Sequence, residues 1–208
     1  MEQTVFTILQ KIRKLQKGQA PLVIAIDGRC GAGKTTLAQN LSQELSCSVI
    51  HLDHFFLRPQ QRTPERLKQS GGNFDRERFL SEVIPFLRQN QPFSYRPFDC
   101  KTQTLSEPVI VKPGNLVIVE GSYCCHPSLF PFYDLTIFLD VCPQEQIRRI
   151  TCRNGEKMAQ IFQTRWIPME EAYFSAFSSR KITEGTPLSG LSNSRGRAGR
   201  PAQGTASW

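Results

Sequence analysis

The eight residues Gly28-Arg29-Cys30-Gly31-Ala32-Gly33-Lys34-Thr35 constrain this chain more than any other stretch. They fit the pattern G-x-x-x-x-G-K-[ST] at every fixed position. Leu22-Val23-Ile24-Ala25-Ile26 before them is an apolar run with no polar face, as expected of a parallel strand buried on both sides. After them, Leu37, Leu41 and Leu45 lie four apart on one helical stripe. A glycine-rich turn with a chance lysine would satisfy the spacing alone. Strand, loop and helix together favour a phosphate-binding loop. Its glycines let the backbone curl until several N–H groups face one anion, and the helix N-terminus adds its dipole. Residues Gly28 to Thr35, with Thr36, are therefore the expected cradle for ATP or GTP. Lys34 is placed to reach the β- and γ-phosphates, and the Thr35 hydroxyl to ligate Mg²⁺.

The rest of the chain repeats the alternation of strand and helix. Val5, Phe6, Ile8, Leu9, Ile12 and Leu15 follow a helical period over residues 4–17, which Gly18 would end. Ser48 to Leu52 reads as a second strand with Asp53 at its C-terminal end, where open α/β sheets bind ligands. Residues 54–74 are loop-like, and Asp75 precedes a helical pattern that Pro85 should kink or end. Prolines punctuate residues 91–115, where Ser94-Tyr95 and Val109-Ile110-Val111 could pair as a hairpin. Leu116 to Val119 is a buried-type strand ending in Glu120-Gly121, an acid positioned toward Mg²⁺. Leu135 to Leu139 is another strand, and Pro143 opens a helix bearing Arg148, Arg149 and Arg153. These cations read either as a solvated face or as a lid that closes on phosphates. The expected architecture is α/β: a three-layer P-loop NTPase fold with a doubly wound, mainly parallel sheet, a lid helix and a small β-excursion. It divides into an N-terminal amphipathic helix (1–20), a P-loop domain (21–183) and a disordered or aberrant tail (184–208), where Gly, Ser, Pro and Arg dominate.

Composition narrows the function classes. The formal charge of +8 is concentrated at the ends. Residues 1–17 and residues 181–208 each hold four basic side chains against one acid. Charge placed this way, rather than interleaved with aromatics on one face, argues against specific nucleic-acid binding. No apolar run approaches the ~20 residues of a membrane span. Seven cysteines without a C-x-x-C pair suggest free thiols in a reducing cytoplasm, and the three scattered histidines do not suggest zinc.

The phosphate loop, Leu52-Asp53-His54-Phe55-Phe56, Asn73-Phe74-Asp75, Val119-Glu120-Gly121 and Arg148-Arg149-Ile150-Thr151-Cys152-Arg153 resemble, in this order, the motifs of the uridine kinase family over roughly residues 21–180. The resemblance implies an ATP- and Mg²⁺-dependent kinase acting on a small molecule. It implies Asp53 as general base toward the acceptor hydroxyl, Asp75 as a ligand of ribose hydroxyls, Glu120 near Mg²⁺, and Arg149 and Arg153 as lid arginines. Asp75 reads equally well as a helix N-cap, and the two roles are compatible. Phe56 replaces the family's usual tyrosine. The stretch that reads the pyrimidine corresponds to Tyr95-Arg96-Pro97-Phe98-Asp99-Cys100-Lys101, which puts Tyr95 and Phe98 among the substrate contacts but contains no histidine. The final strand expected near residue 182 is not evident. The acceptor therefore stays open: a nucleoside such as uridine or cytidine, another hydroxylated metabolite such as nicotinamide riboside, pantothenate or a sugar, or none, if the chain is an ATP-binding regulator. Relatives in this family often self-associate, which leaves a homo-oligomer open although no interface is legible in the sequence, and a cytoplasmic setting is expected.

Overall fold

The computed structural model describes residues 2–16, 21–177, 182–183 and 192–193. The chain opens with helix α1 (Glu2–Leu15), then strand β1 (Leu22–Gly28), helix α2 (Lys34–Leu45) and strand β2 (Ser48–His51). Short helices α3 (Pro64–Leu67) and α4 (Arg76–Glu82) follow. Four short strands come next, β3 (Phe93–Tyr95), β4 (Phe98–Asp99), β5 (Thr104–Leu105) and β6 (Val109–Val111). Strands β7 (Leu116–Glu120) and β8 (Leu135–Asp140) lead into helices α5 (Pro143–Asn154), α6 (Glu156–Ile161) and α7 (Ile167–Phe177). The last described elements are β9 (Ile182–Thr183) and β10 (Ser192–Asn193).

The central sheet runs β2-β7-β1-β8, all parallel, with β9 and β10 both on the far side of β8. Because strand side chains alternate, β1 and β7 serve two cores at once. Leu22, Ile24 and Ile26 face one side with Leu116 and Ile118, against Ile8, Leu9 and Ile12 of α1 and Leu37, Ala38 and Leu41 of α2. Val23 and Ala25 face the other side with Val117 and Val119. There they meet Phe79 of α4, Tyr173 and Phe174 of α7, and Phe55, Phe74, Phe93 and Tyr95. This is the expected doubly wound, three-layer α/β arrangement. Helix α1 shares the core of α2 and the sheet. Phe6, counted on its apolar stripe, is instead exposed, and Gly18 lies outside the described residues.

Several local expectations hold in detail. The excursion pairs β3 with β6 antiparallel, Tyr95 opposite Val109 and Ser94 opposite Ile110. Pro85 falls in a 3-10 turn, Ile84–Phe86, just past the end of α4. Pro143 is the first residue of α5. A strand is present near residue 182 after all: β9 pairs parallel with Leu139 and Asp140 of β8. Its two residues are too few to leave a hydrophobic period in the sequence. The disorder expected for 184–208 falls outside the described residues except at β10, which pairs antiparallel with Leu135 and Thr136.

Candidate active site

The C-terminal ends of β1, β2 and β7 converge on one cavity of about 750 Å³. Residues 30–36, the glycine-rich loop and the first residues of α2, line it. Gly31 and Gly33 adopt φ of +76° and +96°, which side-chain-bearing residues rarely hold. Gly28 is required for another reason: a Cβ there would stand 2.0 Å from the Leu139 carbonyl oxygen of the adjoining strand. Lys34 lies at the start of α2 and folds back over the loop. Its ammonium donates to the carbonyls of Gly28 (2.8 Å) and Arg29 (3.0 Å) and to Ser122 Oγ (3.3 Å).

Acids surround this cation. Asp53 follows β2, keeps solvent-accessible surface and lines the cavity. Enclosure there raises its pKa by desolvation, Lys34 opposes the shift, and the Glu120 charge adds to it. Glu120 ends β7, is 4% exposed, and places its two carboxylate oxygens 3.3 and 3.4 Å from Thr35 Oγ1. His51 Nδ1 lies 2.5 Å from Glu120 Oε1, and that contact raises the imidazole pKa. Thr35 and Glu120 form an oxygen-only donor pair, the kind Mg²⁺ uses together with water and phosphate oxygens. The residues present thus fit both a nucleotide phosphate chain and Mg²⁺.

Three further residues tie the loop to the rest of the fold, and motif reading alone does not single them out. Asp27 is fully buried and accepts from the backbone N–H groups of Gly28, Tyr123 and Cys125 and from the Tyr173 hydroxyl. Desolvation raises its pKa, and the Cys125 N–H, the Tyr173 hydroxyl, the Lys34 charge and the Gly28 N–H oppose the rise. Glu170 of α7 accepts from the Cys30 N–H at 3.0 Å and from Ser122 Oγ at 2.5 Å. The Cys30 thiol is pushed up to about 12, chiefly by burial and then by the Glu170 charge. Asp27 carries a sequence signal, a charge closing a buried strand. Ser122 and Glu170 carry none, because their roles depend on contacts made 48 and 140 residues apart.

Most of the expected residues meet here. Cys30, Gly31, Ala32, Gly33, Lys34, Thr35, Thr36, Asp53, Glu120, Arg149 and Arg153 line the one cavity. Arg149 reaches from α5 to the Gly31 carbonyl at 3.2 Å and pairs with Glu145. Gly28 and Arg29 stand behind the lining, and the Arg29 side chain turns away to Asp140 and Glu171. Asp75, Tyr95 and Phe98 also lie behind the wall. Asp75 caps α4 through the Arg78 N–H and accepts from Gln61 Nε2. The Tyr95 hydroxyl meets His54 Nδ1 at 2.9 Å, and the Phe98 ring supports the Arg62 guanidinium. Phe56, Arg62, Asn73, Cys100 and Gln103, which the motifs do not single out as contacts, line the cavity instead. Ile161, Phe162 and Trp166, at and within the π-helical segment Phe162–Trp166, add apolar lining.

No protein-family model matches the chain. It is 32% identical over 146 residues to a uridine kinase of Oceanobacillus iheyensis, a match covering 65% of this chain and 69% of that protein. It is 28% identical over 157 residues to a uridine kinase of Geobacillus kaustophilus, covering 71% and 74%. Among solved structures, one described as a possible uridine kinase from Bacillus stearothermophilus superposes with a TM-score of 0.64 at 23% identity, covering 88% of this chain and 99% of the other.

Proposed function

The chain belongs to the uridine kinase family and is an ATP-dependent phosphotransferase acting on a hydroxyl, and we propose that its acceptor is a nucleoside of the uridine or cytidine type. The observation that carries this reading is the convergence of Asp53, Glu120 and Lys34 on one walled cavity at the strand ends. A base for the hydroxyl, an acid for Mg²⁺ and a cation for phosphate share that space.

Bound Mg·ATP supplies the transferable phosphoryl group; the remaining work falls to the chain. The N–H groups of residues 31–35 hold the phosphates, and Lys34 balances their charge. Thr35 Oγ1 and Glu120 are the oxygens we assign to Mg²⁺. Asp53 accepts the proton of the attacking hydroxyl. Its raised pKa suits that task, because a base works best when its pKa approaches the operating pH. Arg149 and Arg153, on the helix over the loop, neutralise charge on the group in flight. Asp75 acts from behind the wall by fixing the entrance to α4. Tyr95 and Phe98 shape the acceptor side from the second layer.

The residues of 21–183, together with the helix at 1–20, make one catalytic domain in this reading, since Val5 of α1 also lines the cavity. Self-association and a cytoplasmic setting belong to the same proposal, and light scattering on the purified protein checks the first. No described helix is long and apolar enough to cross a membrane. A non-nucleoside acceptor is the second reading, favoured by the engagement of Tyr95 with His54 rather than with the cavity. The deciding experiment measures ADP release with Mg·ATP against nucleosides, nicotinamide riboside, pantothenate and simple sugars. One strong nucleoside acceptor is expected. A strong acceptor of another class would replace the nucleoside, and ATP binding without any transfer would remove the kinase reading.

A further inference from the structure

On the acceptor side, Arg62 is held in place without being neutralised. Its Nε donates to the Leu57 carbonyl at 2.9 Å, and its guanidinium carbon lies 5.6 Å from the centre of the Phe98 ring. A carbonyl and an aromatic face fix its orientation but leave its charge unmatched. Arg29, Arg66, Arg78 and Arg149 each face a carboxylate. Among the described residues Arg62 has no carboxylate within ion-pair distance, yet it lines the cavity. Asn73, Cys100 and Gln103 line it too. The Cys100 thiol is raised mainly by burial, while the Arg62 charge lowers it and the Asp53 charge raises it. Arg62, Cys100 and the proposed base, Asp53, line the same cavity.

A guanidinium has five donors and no acceptor. It is satisfied by oxygen acceptors and left unmatched by an amino group. Sites built around such a donor discriminate well, because the wrong ligand leaves a desolvated polar group without a partner. We propose that Arg62 sets acceptor specificity, selecting molecules that present hydrogen-bond-accepting oxygens at the end away from the hydroxyl to be phosphorylated. Among nucleosides this selects an oxo-pyrimidine edge, as in uracil, over the amino edge of cytosine. Among other metabolites it selects a hydroxy acid. The inference rests on the kinase reading for the position of the reacting hydroxyl.

The test uses the full chain, the variants Arg62→Gln and Arg62→Lys, and three acceptors: uridine, cytidine and glycerate. Binding is measured by calorimetry without nucleotide, and turnover is measured with Mg·ATP. Uridine or glycerate should bind about tenfold or more tighter than cytidine. A uridine preference identifies the carbonyl edge as the group read, and a glycerate preference identifies a carboxylate. Arg62→Gln should erase the preference through Kd and the acceptor KM, with the KM for ATP held. Arg62→Lys, which keeps the charge but loses the planar fork, should fall between. Cytidine binding as tightly as the other two, a preference unchanged in Arg62→Gln, no binding of any of the three, or an ATP KM that rises in parallel would each overturn the proposal. Intact binding preference without ADP release would instead sink the kinase reading, so the two failures are told apart.

Discussion

At one end of the cavity, consecutive residues from a single turn hold the phosphate site, and each charged group near it already has protein partners. Lys34 donates to two loop carbonyls, Arg149 meets Glu145 and Gly31, and Glu170 accepts from Cys30 and Ser122. Elsewhere in the lining, Arg62, Asn73, Cys100 and Gln103 arrive from separate segments, and Arg62 has no carboxylate partner among the described residues. The first end is built mainly of backbone N–H groups and suits a ligand part common to all nucleoside triphosphates. The second is built of side chains and suits a ligand that must be told from its analogues. The contrast teaches that a site made from one loop is over-determined by the fold, whereas a wall assembled from separate segments depends on a few replaceable side chains.

The sharpest way to break this comparison is at its centre. Lys34→Ala should lower kcat by about 10³-fold, in line with losing a preorganised charge at a reacting group. Near-normal turnover would take the loop out of the chemistry. Asp53→Asn should lower kcat by about 10²-fold or more, with ATP affinity little changed. In the unmodified protein, kcat/KM should rise with pH through a value above the ordinary aspartate pKa, because only the ionised carboxylate takes the proton. Equal losses of turnover and ATP affinity in Asp53→Asn would make that residue a phosphate-end group.

Glu170→Gln sharpens the contrast by a smaller amount. Removing a negative charge beside the loop should tighten binding of a non-hydrolysable ATP analogue by about threefold to tenfold, while lowering the melting temperature as the tie to Cys30 and Ser122 weakens. Weaker analogue binding would recast Glu170 as a group that preorganises the cradle. The smallest effect concerns the acceptor wall. Burial and the neighbouring His51 depress the His54 pKa to about 4. The unfolded imidazole titrates near 6.5, so the folded protein binds fewer protons between these values. That contribution to stability is whole above about pH 6.5 and lost as pH falls toward 4. Thermal melts in that window should show a drop that His54→Gln flattens, and an unchanged slope would mean His54 stays neutral in both states.

The phosphate loop was legible because its function needs a fixed local conformation, and local conformation demands glycine at set spacings. Strands β1, β7 and β8 were legible because burial on both faces leaves continuous apolar runs. The hairpin of β3 and β6 was found from two short apolar stretches flanked by prolines. Asp75 was ambiguous in the sequence, and in the fold its carboxylate caps a helix while standing close behind the site. The two-residue strands β9 and β10 were hidden, since elements that short carry no period.

What the sequence determined by itself was the chemistry of the donor: a nucleotide-binding loop on a parallel α/β sheet, with acids at the ends of the next strands. Those features rest on backbone geometry and apolar periodicity, which are properties of contiguous residues. Only the tertiary structure decided that Glu170 of α7 reaches the Cys30 N–H, that Tyr173 closes on the buried Asp27, that Tyr95 meets His54, and that the Phe98 ring lies under Arg62. Each of these is a contact between distant segments, fixed by how helices and loops pack across the sheet. No local pattern records such a distance.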